Sequence, residues 1–194
     1  MYTMRLPRYI YISIFLLSAL LLTGCSGHEE NRFPAERGIF RLENRDFASQ
    51  GNISLDGEWE FYWDQLIPPG EFDNPDAELT GYYQVPLYWT KYKGLSLPSK
   101  GEATYRTVIE TDGKNRILSI KTPEIYTEYC LWINGEIIDS SGFFYGRPVR
   151  YLKPEVYTFS VDKPDIEIVL QIINRVHSNA GIGQSFMLGT PQGI

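Results

Sequence analysis

Three features of this sequence could suggest catalytic or phosphate-binding chemistry, and each can be weighed by its spacing and neighbours. Asp56, Glu58 and Glu60 recur at every second position. Paired carboxylates about 5–9.5 Å apart across one bond are the machinery of glycoside hydrolysis. On an extended strand alternate side chains share a face at ~7 Å spacing, which is also what an ordinary solvated face looks like. His177 has no serine or cysteine nucleophile motif beside it and no G-x-S-x-G occurs, so a hydrolase triad has no support. Gly181-Ile182-Gly183 lacks the strand-to-helix unit and the following lysine of a phosphate loop. The expectation is that the protein is not an enzyme.

Binding is better provided for. Sugars present flat C–H faces that pack on aromatic rings, and hydroxyls that need fixed polar partners. Tyr88-Trp89-Thr90-Lys91-Tyr92 supplies rings, and Gly142-Phe143-Phe144-Tyr145-Gly146-Arg147, with Arg150 and Tyr151, supplies rings and cations. If the fold brings both loops to one rim, the candidate ligand-binding set is Trp89, Tyr92, Phe144, Tyr145, Arg147, Arg150 and Asn179. The competing reading puts Trp89 in the core with Trp59, Phe61 and Trp132. Three adjacent aromatics at 143–145 cannot all point inward. Arg106, on a strand, is expected to be a structural ion-pair partner.

The chain that positions these residues has 194 residues, with 14 Tyr, 10 Phe, 4 Trp, 17 Gly and 12 Pro. That aromatic content builds a core and argues against disorder. The length excludes a TIM barrel, which needs about 250 residues, and fits one domain. A net charge of −6 argues against a nucleic-acid binder, whose affinity rests on basic side chains facing phosphates. Two Cys and two His are too few for a Cys/His zinc site, and no calcium-ligand spacing occurs. No metal or other cofactor is expected.

The first 24 residues read as an address. Arg5 and Arg8 form a positive n-region, and Ile10 to Leu22 is an apolar run too short to span a membrane, which takes about 20 residues. Leu22-Thr23-Gly24-Cys25 resembles the lipobox of bacterial lipoproteins. The resemblance implies cleavage before Cys25, a diacylglyceryl group on its thiol, and display in the cell envelope outside the cytoplasm. Two or more acyl chains anchor stably where one does not. Losing residues 1–24 removes Arg5 and Arg8 and no acid, so the remainder is more acidic still. Residues 25–37 are polar and read as a tether to a domain over 38–194. Cys130 is then the one free thiol, and its apolar run Tyr129-Cys130-Leu131-Trp132-Ile133 marks it as buried and inert.

From Ile39 onward the period is two. Leu55, Gly57, Trp59, Phe61 and Trp63 share one face, and Asp56, Glu58, Glu60 and Tyr62 the other, predicting a half-buried strand with its acids in water. Pro68-Pro69-Gly70 and Pro75 break the chain into a loop. Strands are predicted over 103–110 and 116–121 around the turn at Asp112-Gly113-Lys114-Asn115. Asn134-Gly135 between apolar runs predicts a hairpin with a type I′ turn. Further strands are predicted over 155–161 and 166–173. Val169 and Ile173 oppose Ile166, Ile168, Leu170 and Ile172, so the last is read as central and covered on both sides. No segment of ten or more residues has a helical period. The fold class is all-β, an antiparallel β-sandwich.

A resemblance sharpens this. Leu55-Asp56-Gly57-Glu58-Trp59-Glu60-Phe61-Tyr62-Trp63 with Gln65-Leu66, then Val85-Pro86-Leu87-Tyr88-Trp89, Gly101-Glu102-Ala103-Thr104-Tyr105-Arg106, Trp132-Ile133-Asn134-Gly135-Glu136 and Leu188-Gly189-Thr190 follow in order. The succession resembles the extracellular domain of bacterial seven-transmembrane receptors with diverse intracellular signalling modules. It is also similar to the sugar-binding domain of the β-galactosidase and β-glucuronidase family. Both imply a jelly roll of the galactose-binding-like kind, and in the enzymes the catalytic acids lie in a separate barrel domain.

The departures are informative. Leu87 and Tyr88 stand where the receptor pattern has Gly and Ser, and the Asn174–Gly183 loop lacks paired glycines. No 18-residue apolar stretch follows residue 24, and the sequence stops at Ile194 where the receptors would enter their membrane bundle. The expectation is a severed receptor ectodomain or a stand-alone sensing lipoprotein: non-catalytic, probing a carbohydrate or other small extracellular ligand, with a separate seven-transmembrane partner. The alternatives are a structural or enzyme-accessory lipoprotein that docks another protein and, as a minor option, a relative of glycoside hydrolases.

Overall fold

The computed structural model describes residues 33–43, 45–114, 116–141 and 154–194. They form a β-sandwich of two main sheets, as the alternating pattern predicts and in keeping with the jelly roll that the resemblance implies. The larger sheet is built from β1 (Ile39–Arg41), β3 (Gly57–Trp63), β4 (Gly81–Val85), β6 (Gly101–Glu110), β8 (Glu128–Ile133), β9 (Glu136–Ser141) and β11 (Asp165–Asn174). Its order is β4-β3-β6-β11-β8-β9, with β1 beside β6. The smaller sheet has the order β10-β7-β13-β2, from β2 (Ile53–Ser54), β7 (Arg116–Lys121), β10 (Val156–Val161) and β13 (Met187–Gly189). A two-stranded ladder joins β5 (Leu87–Tyr88) to β12 (Gly181–Ile182). Every pairing between these strands is antiparallel except β1 with β6.

The spine is the ten-residue pairing of β6 with β11, in register from Asp165 opposite Glu110 to Asn174 opposite Gly101. Ala103, Tyr105, Thr107 and Ile109 face Ile166, Ile168, Leu170 and Ile172 on the inner side, all fully buried. Trp59, Phe61, Leu118, Ile120, Phe186 and Leu188 complete the core between the sheets. Val169, on the opposite face of β11, is 0% exposed, so the strand is covered on both sides as its sequence predicts. The Asn134-Gly135 turn has positive φ at both residues, 51° and 83°, as a type I′ hairpin demands. The chain passes from β6 in the larger sheet to β7 in the smaller through the segment that begins at Thr111.

Two expectations are corrected. The tether does not extend to residue 37: Ala35 is buried, its N–H donates to the Asp56 carbonyl (2.9 Å), and its carbonyl accepts from the Glu58 N–H (2.8 Å). The polar composition of 26–37 concealed one small residue able to approach a strand closely. The outer face of β3 is also not simply wet. The 64–80 loop folds over it, burying Tyr62 against Phe72, with ring centroids 5.3 Å apart. Beside Tyr62, Glu60 accepts from Arg106 (3.0 Å), whose guanidinium also donates to Glu167 (2.7 Å) and lies over the Phe72 ring. Arg106 is thus the structural ion-pair partner its strand position predicts. Among the described residues helix is confined to α1 (Phe47–Gln50), capped by Asp46, and a 3-10 turn at Trp89–Lys91. Among the described residues no helix is long and apolar enough to cross a membrane.

Candidate functional site

The rim of the sandwich near β5 and β12 is shaped by one core residue and its neighbours. Trp89 is fully buried, its Nε1 donates to the Pro98 carbonyl (2.8 Å), and its ring meets Trp63 edge-on at 5.2 Å. Its backbone N–H continues the β5–β12 ladder to the Ala180 carbonyl (3.0 Å). With Trp89 fixed inward, the preceding Tyr88 is half-buried at the surface. Gly181 opposite it has φ +106°, and a β-carbon there would stand 2.6 Å from the buried Tyr105 hydroxyl, so only glycine lets the ladder form.

Asn174, at the end of β11, anchors the next segment. Its Nδ2 donates to the Ser99 (2.7 Å) and His177 (2.8 Å) carbonyls, and its Oδ1 accepts from the His177 N–H (3.0 Å). This 2%-exposed amide satisfies backbone groups on both sides of itself and fixes the turn that presents His177, Ser178 and Asn179. A third wall comes from 122–127, where Ile125 is buried and the flanking Glu124 and Tyr126 turn outward. The Tyr126 hydroxyl donates to Glu124 Oε2, which holds the phenol pKa above its usual value.

These walls enclose a cleft of about 220 Å³ lined by Tyr88, Glu124, Tyr126, Thr127, His177, Ser178, Asn179, Ala180 and Gly181. That is below the roughly 300–1,000 Å³ of clefts that take drug-sized ligands and has room for one small ring. Thr127 is nine-tenths buried and its hydroxyl has no hydrogen-bond partner among the described residues. The cleft therefore offers two phenol rings, a carboxylate, an imidazole, an amide and two hydroxyls.

Of the three predicted ligand-binding residues that are described, Asn179 stands in this cleft. Trp89 and Tyr92 do not belong to a ligand site: Trp89 is fully buried and Tyr92 is 3% exposed. Tyr92 stacks on Tyr83 at 4.5 Å, and its hydroxyl meets that of Tyr105 (3.3 Å). No sugar could lie on either ring without opening the core. Phe144, Tyr145, Arg147 and Arg150 lie outside the described residues, as does Cys25. Glu124, Tyr126 and Thr127 escaped sequence reasoning. Their signal was the alternation of Pro123-Glu124-Ile125-Tyr126-Thr127, which puts an aromatic and an acid on the face opposite a core isoleucine.

The carboxylates of β3 do not flank a cleft. Glu58 is exposed and accepts from the Arg37 N–H (3.2 Å), while Glu60 is engaged by Arg106 and Tyr62. Among the described residues no three His, Cys, Asp or Glu side chains cluster as a metal site.

No protein-family model matches the chain, and no curated protein matches it in sequence. Solved structures do share its fold. It is similar to a GH2 β-galacturonidase from Eisenbergiella tayi bound to glycerol, with 14% identity and a TM-score of 0.50 over 72% of this chain and 24% of that one. It is similar to a β-glucuronidase from Ruminococcus gnavus, with 16% identity and a TM-score of 0.50 over 73% of this chain and 28% of that one. A β-glucuronidase from an uncultured Clostridium sp. matches at 13% identity and a TM-score of 0.50, over 73% and 29%. The chain thus spans about a quarter of the length of these structures, matching a β-sandwich part of each.

Proposed function

We propose that the protein is a non-catalytic carbohydrate-binding module, displayed outside the cytoplasmic membrane by lipid on Cys25, that senses a saccharide for a separate seven-transmembrane signalling partner. The observation that carries the binding role is the rim cleft. It sets the exposed Tyr126 ring and the half-buried Tyr88 ring beside a carboxylate, an amide and a hydroxyl that has no partner among the described residues, in a volume suited to one sugar ring. Rings for C–H faces and fixed polar groups for hydroxyls are what saccharide recognition asks for. A non-catalytic role is supported by the engagement of Glu60 in an ion pair, which leaves the β3 acids without the opposed geometry of hydrolysis. The relatives in fold are named for action on uronic sugars, which fits a saccharide ligand here.

The test is thermal stability of the full chain across a panel of mono- and disaccharides. Ligand at ten times its Kd adds about 1.4 kcal/mol, which for a domain of this size raises Tm by roughly 3–6 °C. Tyr126→Ala and Asn179→Ala should lose that shift without lowering the unliganded Tm. No shift with any saccharide at millimolar concentration overturns the proposal. The anchor is tested separately, by incorporation of labelled fatty acid that Cys25→Ala abolishes.

A further inference from the structure

The cleft has an electrostatic character that its saccharide-binding reading does not by itself require. Among the described residues, Glu124 supplies its one fixed charge at neutral pH, and neither lysine nor arginine lines it. The nearby cation of the same segment, Arg175, is turned to Glu128 (3.1 Å). Glu124 Oε2 accepts the Tyr126 hydroxyl, and Oε1 has no partner among the described residues. Among the described residues, one carboxylate oxygen is therefore held by a phenol while the other faces the cleft without a protein partner. Tyr126 is 52% exposed and Tyr88 half-buried, so both rings offer a face to the same space. Aromatic faces attract cations through their quadrupole, and a carboxylate attracts them through its charge. Both features oppose a second carboxylate.

We infer that this cleft is a hexosamine site, in which an amino sugar packs against Tyr88 and Tyr126 with its ammonium on Glu124, and from which uronic acids are excluded. The inference rests on the saccharide reading above and narrows it to one charge class. That class is opposite to the uronic sugars named for the enzymes of similar fold. Thr127 and Asn179 supply neutral partners for the ring hydroxyls, so discrimination falls to Glu124 alone.

Three sugars with one ring skeleton separate the possibilities: glucosamine, glucose and glucuronic acid, each titrated calorimetrically into the purified full chain at neutral pH. Glucosamine should bind at least tenfold more tightly than glucose, and glucuronic acid more weakly than either. Glu124→Gln should bring glucosamine to the affinity of glucose, leave glucose within about twofold, and weaken the penalty on glucuronic acid. Glucuronic acid binding as tightly as glucose, or a Glu124→Gln variant with the order unchanged, overturns the hexosamine assignment and leaves the saccharide reading standing. Failure of all three sugars to bind overturns the hexosamine assignment, and absence of a thermal shift across the whole saccharide panel removes the saccharide reading with it.

Discussion

Gly183 lies under the ring of Tyr88: a β-carbon placed on it would stand 2.5 Å from both Cε1 and Cζ of that ring. The phenol that walls the cleft keeps its position because the residue beneath has no side chain. Tyr88 is half-buried and free to swing outward, so Gly183→Ala should cost less than about 1 kcal/mol of stability, below the usual overpacking cost in a core. Its effect should fall on binding instead, with saccharide affinity lowered several-fold and the urea midpoint nearly unchanged. A denaturation curve and a sugar titration on the same sample check it. A large loss of stability would mean that Tyr88 is held as rigidly as a core residue.

Asn174 should act on both. Its side chain makes two donated bonds of 2.7 and 2.8 Å and accepts two, of 3.0 Å from His177 and 3.4 Å from Val176, all with backbone. Asn174→Ala leaves the Ser99 and His177 carbonyls and the His177 and Val176 N–H groups without it. Buried groups so orphaned cost about 1–3 kcal/mol each, less where water enters. A total near 3 kcal/mol is expected. Amide exchange at His177 should rise well above that of β11 in the same variant. Saccharide binding should be lost even where the protein remains folded, because His177, Ser178 and Asn179 lose their frame.

The fold was legible because its strands are amphipathic in period two. Phe61, Tyr105 and Leu170 each recur in step with their neighbours, and the Asn134-Gly135 turn announces itself. The site was less legible for a definite reason. A ring such as Trp89 has the same composition whether it faces a sugar or the core, and the deciding fact is the ladder from β5 to β12, a contact across more than 90 positions. Tyr88 and Trp89 are adjacent, so one of them had to face out, and sequence alone left Trp89 open between the core and the rim. Glu124 and Tyr126 were hidden in the opposite way: no motif covers them, and they matter only because Asn174 folds a distant loop against them. Tyr62 shows the limit of alternation, since a residue on the solvent side of β3 is buried by a loop the period does not describe.

Arg106 holds two carboxylates apart on the outer face of the larger sheet, donating from Nη1 to Glu60 (3.0 Å) and from Nε to Glu167 (2.7 Å). The side chains are between 18% and 25% exposed, so the pair is neither fully buried nor a surface contact. Arg106→Met should destabilise by about 2–3 kcal/mol, below the 3–5 kcal/mol of a fully buried pair broken on one side, because water still reaches the acids. The triple change Glu60→Gln, Arg106→Met and Glu167→Gln should recover most of that loss. Chemical denaturation of both variants separates uncompensated charge from lost packing on Phe72. A triple variant no better than the single one would assign the cost to packing.

The stacked interior of tyrosines sets how the protein fails in alkali. Burial pushes the Tyr105 phenol well above its ordinary value, and burial likewise raises Tyr92, which the Tyr105 hydroxyl 3.3 Å away only partly offsets. A raised pKa in the folded state means that the native protein keeps these protons while the unfolded chain gives them up. The stability they contribute is complete below the unfolded value of about 10 and is lost as pH rises from there toward the folded values. Each such tyrosine adds a slope of about 1.4 kcal/mol per pH unit across that window. The urea midpoint should therefore be flat through neutral pH and fall steeply above about pH 10. Tyr92→Phe should shed one tyrosine's share of the slope, because it keeps the stack on Tyr83 while removing the ionisable group. A slope unchanged in Tyr92→Phe would mean that this phenol ionises as easily in the native state as in the unfolded one, and that the core around it admits water.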